Sequence, residues 1–361
     1  MARTVFILGA GASAAAGAPL MRDFYRVAKD LQERQDLEDH RALFDLVIKA
    51  TDSLDPVYAK ANMNYTEDLE ELFATFEMAR VLRRLGDLEQ QEIDGLSQAM
   101  RAFLTVTIER SVLFPLHQTA MRPHPEYERF AEILSLIQHS SNHGPVAVIT
   151  FNYDIALEFA LYFKSVPFNY ALRGETTPEN HIPLLKLHGS VNWSECSEPT
   201  CGEITPVMIE DWRATQLSPS IPSTLPVTGR PIVMTPLVRR QYHHNKAPNP
   251  YAFIVPPTWN KTEYHTKIGN VWQRAAKELS EARNVFIIGY SMRGSDLFFR
   301  HLFALASSRG PLIDRLWVIN PNADAYRRFQ EIAGNKVRPR LSHRAAAFAP
   351  SLAVMAAELG I

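Results

Sequence analysis

Residues Val5-Phe6-Ile7-Leu8 run straight into Gly9-Ala10-Gly11-Ala12-Ser13-Ala14-Ala15-Ala16-Gly17-Ala18-Pro19, and this run constrains the fold more than any other stretch. Four apolar residues suit a buried strand, and the Ala-rich segment after the glycines has good helix propensity. A strand, a glycine turn and a helix start in that order form a phosphate cradle. Gly9 permits the tight turn, Gly11 lets an anion approach the backbone, and the helix N-terminus offers unpaired N–H groups. With Ala14 at the third small position, the run fits the dinucleotide template G-x-G-x-x-G/A. The same residues also suit a packed strand-turn-helix that holds no ligand.

At 361 residues, with 46% hydrophobic and 21% charged content, the chain has material for one large α/β domain or a domain with a substantial insertion. A formal net charge of −1 gives no overall basic field, so direct nucleic-acid binding is not expected. No apolar run reaches the ~20 residues of a membrane span, and glycines interrupt the N-terminal apolar run too early for a secretory signal. A cytoplasmic protein that does not engage membranes is therefore expected. Cys196 and Cys201 are the two cysteines. Their C-x4-C spacing offers half of a zinc site, with His243 and His244 as distant candidates for the other half. A second close cysteine pair is absent, so the expectation is reduced thiols on a loop and no metal.

Apolar spacing predicts helix over Leu20–Ala50, again from Tyr65 to Leu116, and over Tyr127–His139. Short candidate strands follow at Val146–Phe151, Leu184–His188, Ile232–Thr235, Val285–Ile288 and Leu316–Ile319. Helices are expected between them at Asp154–Phe163, Lys267–Ala282, Asp296–Ser307 and Ala323–Ala333. The expected organisation is a Rossmann-like α/β domain from 1–24 and 146–340. A helical insertion over 25–145 separates its first and second strands, a loop-rich subdomain covers 194–260, and a C-terminal helix covers 341–361. Pro256-Pro257-Thr258-Trp259 reads as a rigid turn or a pocket closure.

Ligands of an open parallel sheet bind beyond the carboxyl ends of its strands. Five candidate strands deliver Gly9–Ser13, Thr150-Phe151-Asn152-Tyr153-Asp154, Lys186-Leu187-His188-Gly189-Ser190, Ile288-Gly289-Tyr290-Ser291 and Ile319-Asn320-Pro321 there. All end in small, polar or ionisable residues. A dehydrogenase would carry an acidic ribose-binding residue at the end of the next strand. Here that strand ends in Asn152, which weakens hydride transfer as a reading and leaves a dinucleotide ligand. Each residue also has a plainer reading. Asn152 or Asp154 suits a helix cap, His188 a satisfied core histidine, and Arg22 a solvated helix surface.

The set GAGAS…GAP…R, TFNYD, LHGS, GYS and IN resembles the sirtuin fold, specifically the sirtuin-like NAD hydrolases of bacterial antiphage defence. The resemblance covers residues 5–24 and 146–330. It implies that Ala10, Gly11, Ser13 and Arg22 line the phosphates and the nicotinamide side of NAD. Asn152 and Asp154 would lie by the nicotinamide ribose, with Asn152 holding an attacking water, and His188 would be the catalytic histidine. Gly289, Ser291 and Asn320 would contact the adenosine half. The chain departs from deacylating sirtuins in having Leu20-Met21-Arg22 where they have Asp-Phe-Arg, and in lacking ligands for their four-cysteine zinc. The implied activity is therefore NAD glycohydrolysis to nicotinamide and ADP-ribose with water as acceptor. The alternatives are a sensor module that binds NAD or ADP-ribose without cleaving it, and an NAD-dependent protein deacylase. Analogy with related defence systems implies a homo-oligomer, or gating by a partner such as a helicase-type ATPase or an Argonaute.

Overall fold

The computed structural model describes residues 3–34, 37, 39–54, 68–118, 120–140, 142, 144–174, 178–198, 200–215, 229–256, 266–292, 297–306 and 313–361. Asp296, Ser307, Pro257, Thr258 and Trp259 lie outside them, and with them parts of the expected helix over 296–307 and of the turn at 256–259. The chain forms two compact units.

The first unit comprises Met1–Ala16, Phe114–His188 and Ile268–Ile361. Its centre is a seven-stranded sheet of β1 (Arg3–Leu8), β2 (Val146–Thr150), β3 (Phe168–Asn169), β4 (Ile182–Lys186), β5 (Ala282–Ile288), β6 (Arg315–Ile319) and β7 (Leu341–Arg344). The order is β7-β6-β5-β1-β2-β4-β3, and every pairing is parallel. This is the Rossmann-like α/β architecture expected, with a long helical insertion between the first two strands. Successive residues of β1, β2 and β4 are buried without alternation, so both faces of the sheet are covered, as parallel sheets require.

The longer helices of this unit among the described residues are α1 (Pro125–His139), α2 (Ala156–Phe163), α3 (Gly269–Ser280), α4 (Leu297–Ala306), α5 (Ala323–Ile332) and α6 (Phe348–Leu359). Phe6 of β1 meets Phe130 of α1 edge to face at 5.1 Å, and Phe348 of α6 packs on both Phe130 and Tyr127 at 5.5 and 5.2 Å. So α1, expected within the insertion, and α6, expected as a separate tail, both belong to the sheet domain. Residues 341–344 also depart from the expected C-terminal helix. They pair with β6 as an edge strand.

The second unit comprises Gly17–Leu113 and Gly189–Lys267. The expected helix over Leu20–Ala50 is two helices, Phe24–Glu33 and Arg41–Asp52, and the expected helix from Tyr65 gives Leu69–Leu82 and Gln90–Ser111. Residues 113–117, which pass from this unit into the first, form a strand instead, with a hairpin partner at Ala120–Met121 in the first unit. Phe103 gathers Phe24, Tyr25, Phe44 and Phe73 within 6.2 Å. The proline-rich segment joins this helical unit through buried polar contacts. Glu109 accepts from the Met234 and Thr235 N–H groups and from Thr235 Oγ1, each at 2.8 Å. Glu195 accepts from Arg101 and Asn249, each at 2.6 Å, and from Lys267. The helical insertion and the loop-rich stretch therefore form one body. Ile232–Thr235, expected as a strand, is irregular until the short helix Thr235–Val238 begins.

Candidate functional site at the strand ends

After β1 the chain forms β2, β3 and β4 on one side and then returns to β5 on the other. The carboxyl end of β1 is therefore the topological switch point, where open α/β sheets bind ligands. Gly9 donates to the Ile288 carbonyl at 2.9 Å, and Gly11 donates to the Gly289 carbonyl at 3.0 Å. A Cβ on Gly9 would lie 2.5 Å from Tyr290 Cα, and one on Gly11 would lie 2.8 Å from Gly289 Cα. Gly289 has φ +62, where a side chain is strained, and a Cβ there would lie 2.5 Å from the Ala12 nitrogen. All three glycines are thus required by backbone lying on backbone between adjacent turns. The Gly11 N–H is itself taken by the Gly289 carbonyl. The helix after the turn is also shorter than expected, spanning Ala10–Ser13.

Asn152, two residues beyond β2, reaches this turn. Its Nδ2 donates to the Gly9 carbonyl at 3.0 Å and to Ser13 Oγ at 2.9 Å. A carbonyl oxygen only accepts, so the amide group facing Gly9 must be the NH2. No described residue donates to Asn152 Oδ1. Ser13 is fully buried and pairs with the Tyr127 hydroxyl at 2.7 Å. Burial pushes the Tyr127 phenol well above its ordinary range, so it stays protonated as a hydrogen-bonding group. Tyr127 is the component that sequence reasoning missed. It sits on the amphipathic helix α1, where nothing in the spacing separates it from a core aromatic.

Asp154 stands one residue before Ile155, the N-cap of α2, and closes a turn into that helix. One carboxylate oxygen accepts from the Ala156 N–H at 3.0 Å at the start of α2, and the other is buried with no partner among the described residues. Lys186 at the end of β4 is also turned inward, donating to the Asp154 carbonyl and, at 2.7 Å, to Glu158. Burial raises the Glu158 carboxyl, and the Lys186 charge opposes that shift.

His188 lies in an aromatic row across the strand ends. Its ring is 5.1 Å from Phe151, and Phe151 stacks on Tyr290 at 4.3 Å with 9° between planes. Phe299 closes the row edge to face against both Phe151 and Tyr290. β2 and β5 flank β1, so Phe151 and Tyr290 meet across the Gly9 turn, which only a glycine leaves room for. On the β5 and β6 side, Asn320 Nδ2 faces the Tyr290 carbonyl at 3.4 Å and Ser291 Oγ at 3.5 Å. Arg328 of α5 donates to the Ser291 carbonyl at 2.9 Å, a cation that strand-end reasoning does not reach because it is helical. Ala10, Gly11, Ser13, Asn152, Asp154, His188, Gly289, Ser291 and Asn320 therefore all lie in the sheet unit, at the carboxyl ends of β1, β2, β4, β5 and β6. Arg22 belongs to the second unit, where its exposed guanidinium pairs with Asp23 at 3.5 Å.

Fold and strand-end cluster together define a Rossmann-like α/β protein with polar and aromatic side chains gathered at its switch point. No protein-family model matches the chain, and no curated protein does. Among solved structures it is similar to Sir2Tm bound to a propionylated peptide, with 15% identity, 99% of this chain and 93% of that chain covered, and a TM-score of 0.37. It is similar to a Sir2–p53 peptide–NAD+ complex, with 15% identity, 99% and 93% coverage and a TM-score of 0.39. It is also similar to a structure titled for the mechanism and regulation of Sir2 enzymes, with 14% identity, 99% and 92% coverage and a TM-score of 0.40. Similarity at this level carries no inference about function. Among the described residues, no helix is long and apolar enough to cross a membrane.

Proposed function

We propose that the chain binds NAD along the carboxyl ends of β1, β2, β4, β5 and β6 and cleaves the bond between nicotinamide and ribose, with water as acceptor. The observation that carries this reading is the fixed amide of Asn152. Its NH2 is held by Gly9 and Ser13 while Oδ1 accepts from no described residue, the arrangement needed to orient a water without placing a charge beside it. Cleavage builds oxocarbenium character at the anomeric carbon, and the leaving nicotinamide is already cationic in NAD, so no strong acid is required. An oriented water, a nearby dipole and a base in reach suffice.

His188 serves as that base, taking a proton from a ribose hydroxyl. Its ring is held between Phe151 and Tyr153. Asp154 supports the site by holding the turn into α2 through the Ala156 N–H, and its second oxygen supplies negative potential close to the reacting sugar. Ser291 and Asn320 receive the adenosine half. The sirtuin-like motif set extends the reading to a role in antiviral defence, with the activity gated by self-assembly or by a partner protein. Gel filtration that finds only monomer, active without a partner, contradicts that gating.

Incubation of the purified chain with NAD, following nicotinamide and ADP-ribose, tests the activity. Asn152→Ala and His188→Ala are each expected to abolish release. Wild-type rates in either variant remove the role given to that residue.

A further inference from the structure

At the carboxyl ends of β5, β6 and β7, two arginines stand around Asn320 without an acid to balance them. Asn320 is buried and held from three directions. Its Oδ1 accepts from the Asn322 N–H at 2.9 Å, and its own N–H donates to the Arg344 carbonyl at 3.0 Å. Its carbonyl lies 3.1 Å from His343 Nε2, and the His343 ring stacks on Tyr326 at 5.0 Å. These bonds leave Nδ2 turned towards Ser291 Oγ. Arg328 reaches the same place from α5, where one guanidinium nitrogen donates to the Ser291 carbonyl at 2.9 Å.

Neither Arg328 nor Arg344 has a carboxylate partner among the described residues. Residues 289–292, 320–322 and 344–346 contain no acid. Asp324, the first acid after β6, is taken by Arg327 at 2.5 Å. We propose that these residues bind a phosphate on the adenosine ribose, so that the chain takes the 2′-phosphorylated dinucleotide, NADP, more tightly than NAD. This specificity rests on the proposed reading in which Ser291 and Asn320 receive the adenosine half.

The charge accounting points to that phosphate. In dinucleotide sites a carboxylate accepts from a free 2′-hydroxyl and repels a phosphate there, whereas a nearby arginine accommodates the phosphate. Here an amide and two arginines stand where the acid would be. The adenosine half of NAD is itself uncharged, so it leaves both cations unbalanced. The pyrophosphate does not balance them either. Neighbouring strands lie about 4.8 Å apart, which sets the end of β6 roughly 10 Å and the end of β7 roughly 14 Å from the β1 turn. A guanidinium that merely tethers Ser291 accounts for one N–H of Arg328. It does not account for a second cation across Asn320, or for the lack of any acid between them.

Titration calorimetry on the purified full-length chain, with ADP-ribose and 2′-phospho-ADP-ribose as probes, tests the subsite without any cleavage step. The phosphorylated probe is expected to bind at least about tenfold more tightly, the worth of one charge-assisted hydrogen bond. That advantage is expected to shrink as salt is raised, because Arg344 is exposed. Arg328→Gln and Arg344→Gln are each expected to cut the advantage several-fold, while Arg328→Lys, which keeps the charge, retains most of it. Arg344→Gln keeps the backbone carbonyl that holds Asn320, so loss of the advantage in that variant is not loss of the fold. Equal affinity of the wild-type chain for the two probes overturns the proposal and leaves NAD binding standing. An advantage that survives in both glutamine variants overturns the assignment to these arginines. Binding of neither probe overturns this proposal together with the NAD reading beneath it.

Discussion

Gly11 shows how a position read from sequence as a ligand contact also carries a packing requirement. The G-x-G spacing marks the turn after β1, yet a Cβ at Gly11 would meet Gly289 Cα at 2.8 Å and the Gly289 carbonyl oxygen at 2.9 Å. Both obstacles are backbone, so no rotamer change relieves them. Gly11→Ala is therefore expected to destabilise the chain by about 1–3 kcal/mol, visible as a lower Tm, whether or not ligand is present. An unchanged Tm would remove the packing account. At Asn152, replacing the amide by an acid of the same shape sets a carboxylate oxygen against the Gly9 carbonyl. Asn152→Asp is expected to lose about 100-fold or more in NAD cleavage, and activity within a few-fold of wild type would contradict its assigned orientation. The position of Asn152 was legible because it ends a buried apolar run. Its partners were not, because Gly9 and Ser13 lie about 140 residues away and single-sequence spacing carries no contact information.

Helix α1 does more than cover the sheet, because it brings Tyr127 to Ser13. Tyr127→Phe removes one buried hydrogen bond, at a cost of about 1 kcal/mol. The freed Ser13 hydroxyl then holds Asn152 less firmly. A lower kcat with little change in KM is expected, and full kcat would show that the tyrosine serves stability alone. The helix Gln90–Ser111 carries Glu109, whose carboxyl is pushed up to about 7 by burial, against the hydrogen bonds from Thr235 and Met234. The folded form thus holds a proton that the unfolded chain releases near 4.5. Stability from this group is fully present below about pH 4.5 and is lost as pH rises towards about 7. Glu109→Gln, which keeps an acceptor for the two N–H groups, is expected to flatten the fall in Tm between pH 5 and 7. A fall of the same size in the variant would assign the pH dependence elsewhere. The central strands and α1 were legible from unbroken apolar runs and 3.6-residue spacing. The edge strands β3 and β7 were not. β3 has two residues, and β7, Leu-Ser-His-Arg, carries no apolar run.

The chain as a whole is one sequence that builds two bodies by leaving the sheet domain twice. Composition announced an insertion after β1 and an irregular segment after β4, but not that the two form one unit. That union depends on Glu109 and Glu195 finding partners far along the chain. The candidate site, in contrast, is assembled wholly from the sheet unit, so its chemistry stands or falls on the strand ends. The decisive observation is product formation by the purified chain incubated with NAD, alone and with an acylated peptide. Equal release of nicotinamide and ADP-ribose, unaffected by the peptide and absent in Asn152→Ala, is the expected result. NAD bound but left intact in every assembly state, or cleavage that requires the peptide and transfers its acyl group, would contradict a water-dependent NAD hydrolase.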